Sequence, residues 1–493
     1  MKTTSLKLTS IAVLTALGLS ACNITDDIDT ALNGDTSTSE AKTAYVTSGV
    51  ITGFGSVYIN GVEFETDGTE FAVDDAAGTE SQLKIGMYIT LQGDINADGT
   101  SGTAGKIKFE NDVEGMVLAK NLVAGVGTLN VMGQTVNVDL DTKFESDVLS
   151  VPTIDDILNN NIVEVSGYSS GSGSIYATRI EVKKAGHEVG EEMELKGIIS
   201  RLTDSTFIIG DMTVNHLTAT LEDFEGLTLA DGMYVEVKST EGLNSDGQLI
   251  ASKVQLEQKD GKGEKRDSGE EMEIEGVITT AIDADKTFVE VNGQKVMLAE
   301  STKLENGALT DLLAGKKVEV EGEFDADGMF VAKEIKFRAQ ARIKMEGPVE
   351  AIDTVNSTVT IFGQTIAINT LTIMDDEMNK GGVTPVKYFN LTHLAVGDWL
   401  ELKAHEENGK LIANKLERDD AEAEDNGLLE VKLEGDIAEV KANGELLVAG
   451  VAVNVDAVSS DKAFTAGMKI EMKGSYANGL FSASEVSVEE AED

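Results

Sequence analysis

Gly315–Phe337 reads GKKVEVEGEFDADGMFVAKEIKF, two alternating runs around an Asp-Gly pair. In Lys317-Val318-Glu319-Val320-Glu321 the valines fall on one side of an extended chain and the glutamates on the other. Asp327-Gly328 supplies the positive φ that a tight hairpin turn needs, and Ala332-x-x-Ile335 resumes the apolar face. The stretch therefore predicts a β-hairpin, with Val318 and Val320 in a core and Glu319 and Glu321 facing water.

The same pattern recurs along the chain. GMYITLQG, NNIVEVSG, GMYVEVKS, GDWLELKA and GMKIEMKG repeat the first half, and DGQLIASKVQL, NGKLIANKLER and NGLFSASEVSV repeat the second. An apolar-polar-Gly step opens each copy at Gly49, Gly115, Gly197, Gly276, Gly347 and Gly435, spaced 66, 82, 79, 71 and 88 residues apart. A turn glycine follows at Gly61, Gly133, Gly210, Gly293, Gly363 and Gly450. A period this long makes each unit a small domain rather than a solenoid rung. The six repeats are placed at 45–110, 111–185, 192–258, 271–338, 342–418 and 430–489. Helical signal is limited to short stretches such as Ile154–Asn160 and Leu309–Ala314. The fold class is all-β: a tandem array of about six small OB-like β-barrels, with a string of short β-sandwiches as the alternative.

Charged, Gly-containing joints at 186–192, 257–271 and 417–427 point to beads with some freedom between them. The fifth repeat carries an insertion, 375–390, and such extra loops are where function often sits.

The N-terminus has a basic start (Lys2, Lys7), the apolar run Ile11–Leu19 and then Leu19-Ser20-Ala21-Cys22. Residues 1–21 are expected to be an export signal too short to span a bilayer. Leu19-Ser20-Ala21-Cys22 looks like a lipobox, in which the Cys22 thiol accepts a diacylglycerol before cleavage. At about 0.8 kcal/mol per buried CH₂, several acyl chains anchor a protein firmly. Asn23, rather than Asp, after the cysteine leans toward the outer membrane. Residues 22–44, rich in Thr, Ser, Asp and Ala, read as the lipidated cysteine and a flexible tether.

The 493 residues hold 87 Asp+Glu against 40 Lys+Arg, a formal charge of -47, which opposes nucleic acid as a partner. A single cysteine excludes a disulfide framework and Cys-rich metal sites. The four histidines, His187, His216, His393 and His405, show no metal-triad spacing.

The string Gly49-Val50-Ile51-Thr52-Gly53-Phe54-Gly55-Ser56-Val57-Tyr58-Ile59-Asn60-Gly61-Val62-Glu63-Phe64-Glu65-Thr66 resembles the opening of repeats in domain of unknown function 5666. Later copies keep only its glycine and apolar skeleton, over about 45–489. The resemblance implies tandem domains in predicted lipoproteins and exported proteins of Gram-negative bacteria, and carries no activity to transfer.

Gly167-Tyr168-Ser169-Ser170-Gly171 fits G-x-S-x-G but leads into another strand, not the helix that a nucleophile elbow needs. Asp325-Ala326-Asp327-Gly328, Asn96-Ala97-Asp98-Gly99 and Asp283-Ala284-Asp285 lack the remaining EF-hand ligands and read as hairpin turns. Weak Ca²⁺ or Mg²⁺ binding would need carboxylates converging across neighbouring copies. Trp399 shares its place in the repeat with Tyr88, Tyr234 and Val318, a core position. Phe54, Tyr388 and Phe389 are the candidates for an exposed aromatic strip that binds a ligand. The expectation is a lipid-anchored cell-envelope protein acting as a non-enzymatic interaction, spacer or structural module, without cofactor and with an envelope protein or polysaccharide as partner. The alternative is a surface glycan- or divalent-cation-binding module; an enzyme ranks last.

Overall fold

In the first repeat the bent strand Thr43–Phe54 pairs antiparallel with Val57–Ile59, which pairs with Val62–Glu65. Val62–Glu65 runs parallel to the start of Ser101–Phe109, and Tyr88–Ile95 closes the ring by pairing with both Ser101–Phe109 and Thr43–Phe54. This closed order 1-2-3-5-4-1 is an OB-like barrel, not a sandwich. The computed structural model describes residues 43–74, 76–257, 268–378, 384–421, 429–458 and 463–488, and the order recurs in every copy. In the third repeat the first and second strands meet through the Ser200–Ile208 bridge, and the last strand is split into Leu249–Ile250 and Lys253–Leu256. The expected helical stretches are 3₁₀ turns, Ile154–Asp156 and Leu309–Asp311. Among the described residues no helix is long and apolar enough to cross a membrane.

The repeated glycines have steric causes. Asn60 and Gly61 both take positive φ (52° and 81°), as a two-residue hairpin turn requires. That turn lays the Asn60 side chain over Gly49, where a Cβ would stand 2.1 Å from Asn60 Oδ1. Asn292 covers Gly276, Met132 covers Gly115 and Phe362 covers Gly347 in the same way. A second set, Gly93, Gly167, Gly322 and Gly474, sits on the fourth strand opposite a β-bulge of the fifth. There a Cβ would lie 2.1–2.3 Å from a carbonyl oxygen of the fifth strand.

Each barrel buries the apolar half of its alternating strands, Val318, Val320 and Ile335 in the fourth repeat. Trp399 is in the core of the fifth, as its place in the repeat predicts.

The barrels are not separate beads. The described residues from 43 to 488 belong to one compact unit. The second strand of each repeat covers only the far half of the first strand, Ile51–Phe54 in repeat one and Ile278–Thr280 in repeat four. The near half keeps an open edge, which a first strand of another repeat satisfies. Tyr45–Ser48 lies parallel to Glu271–Ile274, joining repeats one and four. Val113–Glu114 pairs antiparallel with Glu194–Leu195, joining two and three. Lys344–Glu346 pairs with Lys432–Glu434, joining five and six.

This docking also corrects the fate of the outward charges. Glu319 is only 3% exposed, held between Lys336 and Arg338. Glu181, Glu236, Glu273 and Glu434 are buried too. Their side of the strand faces a neighbouring barrel or a cross-strand lysine rather than water. Alternation identifies the side of a strand, not what lies against it.

Candidate functional site

A cleft of about 630 Å³ opens where the first, second, fourth and fifth repeats meet. The first strand of repeat one brings Val50 and Thr52 to its wall, and repeat two brings Tyr168 and Thr178. Glu275 comes from the first strand of repeat four, beside its opening glycine. One Glu275 oxygen accepts from Val50 N at 3.1 Å and the other from Tyr168 Oη at 2.8 Å. Burial, reinforced by the Glu275 carboxylate, raises the Tyr168 phenol well above its ordinary value, so Tyr168 is a fixed donor.

Repeat five supplies His405 and Asn414 from its last hairpin. His405 Nδ1 lies 2.6 Å from Asn414 Oδ1, and Asn414 Nδ2 donates to Ala339 O at 2.9 Å. Asp141 accepts from Lys317 Nζ at 3.0 Å and from Ala341 N at 3.3 Å. Burial disfavours the Lys317 ammonium, but Asp139 and Asp141 outweigh it and raise its pKa.

Behind one wall lies a buried ionic cluster. Lys143 of repeat two, 2% exposed, enters repeat five. Its Nζ stands 2.6 Å from Glu417 Oε1 and 2.9 Å from Asp375 Oδ2, and also pairs with Glu377. These three carboxylates lie within 4.8 Å of one another, a spacing that suits a divalent cation. The Lys143 ammonium holds that place. Burial pushes the Glu417 carboxyl up, but Lys143, Lys415 and Lys403 together bring it down to about 2. Burial brings Lys415 down to about 7 against the pull of Glu417, with Lys403 and Lys143 reinforcing the fall.

Five windows of the chain, 44–108, 114–181, 196–255, 275–336 and 346–417, match the family model described as Domain of unknown function (DUF5666). The chain belongs to this family. The windows coincide with the first five barrels; 431–488, outside the match, closes in the same strand order. A comparison with curated proteins matches none. The DUF5666 repeats therefore define the architecture, and no enzyme family is matched among them.

The sequence-predicted aromatics divide. Phe54 is 8% exposed and Phe389 4%, so neither belongs to an exposed strip; only Tyr388, at 47%, stands out in solvent. Phe389 packs into the core of DUF5666 repeat five, with the Arg418 guanidinium 4.9 Å from its ring centroid. Phe54 folds back into repeat one. Lys387 Nζ lies 5.2 Å from the Phe54 centroid and 5.7 Å from that of Tyr388, so repeats one and five do meet here, through a lysine. The insertion is anchored by Asp376, which takes Val386 N at 2.7 Å and Arg418.

Asp98, Asp283 and Asp325 each accept backbone N–H groups of their own turns. Tyr168 and Ser169 end the strand Ile162–Ser169, and Ser174–Lys184 follows as a strand. Cys22, the lipobox and the tether up to residue 42 lie outside the described residues. Sequence reasoning missed Lys143, Glu275 and the His405–Asn414 pair. Lys143 and Glu417 are 274 positions apart, and only docking of the barrels brings them together.

Proposed function

We propose that the protein is a lipid-anchored cell-envelope protein whose working part is a non-enzymatic module of DUF5666 barrels, held as one body on an N-terminal tether. The docking of first strands between repeats one and four, two and three, and five and six carries the non-catalytic part of this proposal. Apolar residues fill the barrels, and many of the ionisable groups at the joints form ion pairs, as Lys143 does with Glu417 and Lys84 with Glu181. Docking also favours a compact interaction or structural head over an extended spacer, since repeat four returns to repeat one. The anchor rests on Leu19-Ser20-Ala21-Cys22 and the outer-membrane address on Asn23.

Metabolic labelling with a palmitate analogue tests the anchor. Label and membrane association are expected in the intact chain and are lost in Cys22→Ser. A labelled Cys22→Ser variant, or an unlabelled parent in the membrane fraction, would reject lipidation. Turnover of a broad hydrolase substrate panel would reject the non-enzymatic role. The alternative, a surface module that binds a glycan or a divalent cation, gains from the mixed polar and apolar cleft for the glycan. Its cation form gains least, because Lys143 occupies the converging carboxylates.

A further inference from the structure

We propose that the cleft between repeats one, two, four and five is a binding site for a neutral, hydroxyl-rich molecule of mono- or disaccharide size. This goes beyond the envelope role, which needs no ligand and stands if the cleft binds nothing.

The volume, about 630 Å³, lies within the ~300–1,000 Å³ usual for small-molecule pockets. The lining alternates in character. Leu371, Ile373 and Ile412 offer an apolar surface for the C–H face of a sugar ring, beside His405, Asn414 and Thr52. Asn414 Nδ2 is committed to Ala339 O, so its Oδ1 accepts from His405 Nδ1. That leaves Nε2 as the ring's free polar atom to meet a hydroxyl, which both donates and accepts.

Charge argues against an ionic ligand. The lining holds five acids (Asp141, Glu275, Asp311, Glu406, Glu407) against three bases (Lys316, Lys317, Arg338), so an anion meets net repulsion. The deeper charges are already paired: Glu275 with Val50 N and Tyr168, Asp141 with Lys317, Arg338 with Glu319. A cation at these deeper acids would have to displace one of these partners. Hydroxyls, which donate and accept, fit the amides, the imidazole and the threonine as they stand.

Saturation-transfer NMR on the full-length protein tests the proposal, with a panel of methyl glycosides and neutral disaccharides and with citrate and spermidine as charged controls. Transfer to the ring protons of at least one saccharide is expected. Its affinity should fall at least tenfold in His405→Ala, which removes a polar partner, and in Leu371→Trp, which fills the cleft. Circular dichroism identifies which variants remain folded. No transfer to any saccharide, transfer only to citrate or spermidine, or unchanged saccharide affinity in the folded variants would overturn it.

Discussion

Lys143 Nζ lies 2.6 Å from Glu417 Oε1, tying the second repeat to the fifth across 274 positions of sequence. Both side chains are buried, and Asp375 and Glu377 complete the ammonium's surroundings. Partners this far from water hold each other in place, and losing one exposes the desolvation cost of the rest.

Lys143→Ala should therefore cost about 3–5 kcal/mol in denaturant unfolding. Lys143→Met with Glu417→Gln should cost less, because fewer charges are stranded. The freed Asp375, Glu377 and Glu417 should then take a divalent cation, so Mn²⁺ should raise the Tm of Lys143→Ala more than that of the parent. An equal Mn²⁺ effect on both would contradict this.

Acid should open the joints. Burial raises the Glu181 carboxyl, but Lys183, Lys84 and Arg179 bring it down to about 2, matching Glu417. A carboxyl depressed in the folded state stabilises above its unfolded value, and that contribution is lost as pH falls through the folded one. Unfolding monitored from pH 5 to pH 2 should show stability declining through this window. In Glu181→Gln the decline should be shallower.

One joint carries the opposite sign. Glu164, Glu114 and Glu194 lie side by side on three adjacent strands at the junction of repeats two and three. Burial first, then Glu164, push the Glu114 carboxyl up to about 7, with Lys183 opposing. A raised carboxyl favours folding at low pH, and that contribution is lost as pH rises from the unfolded value through about 7. Glu114→Gln should accordingly raise Tm more at pH 8 than at pH 5, measured by calorimetry.

The bulge glycines should be less replaceable than some opening ones. At Gly322 a Cβ would stand 2.3 Å from Val331 O, which is backbone and cannot yield cheaply. At Gly435 the nearest atom is Val448 Cγ1 at 3.1 Å. Gly322→Ala should cost about 2–3 kcal/mol and Gly435→Ala about 1 kcal/mol or less. Chemical denaturation of both variants checks the order.

The barrel was legible in the sequence because its signals are local. Val318 and Val320 alternate with glutamates, Asp327-Gly328 turns the chain, and Gly322 recurs at the bulge. The docking was not legible, since an open strand edge such as Tyr45–Ser48 carries no mark of which repeat will cover it. The same blindness sent Glu319 to solvent and hid Lys143. Phe54, expected in an exposed strip, is turned into the core by the bend of its strand. His405 and Asn414 are ordinary polar residues on a hairpin until repeats one, two and four close around them.

The central claim is that the repeats form one body through their first strands, and a distance between repeats one and four tests it most directly. Spin labels at Asp67→Cys and Ala326→Cys, in a Cys22→Ser background, place one probe on an exposed turn of each barrel. Double electron–electron resonance should give a single narrow distance, because Tyr45–Ser48 and Glu271–Ile274 share one sheet. A broad distribution would mean that the barrels move independently, and would contradict the docked architecture and the cleft built upon it.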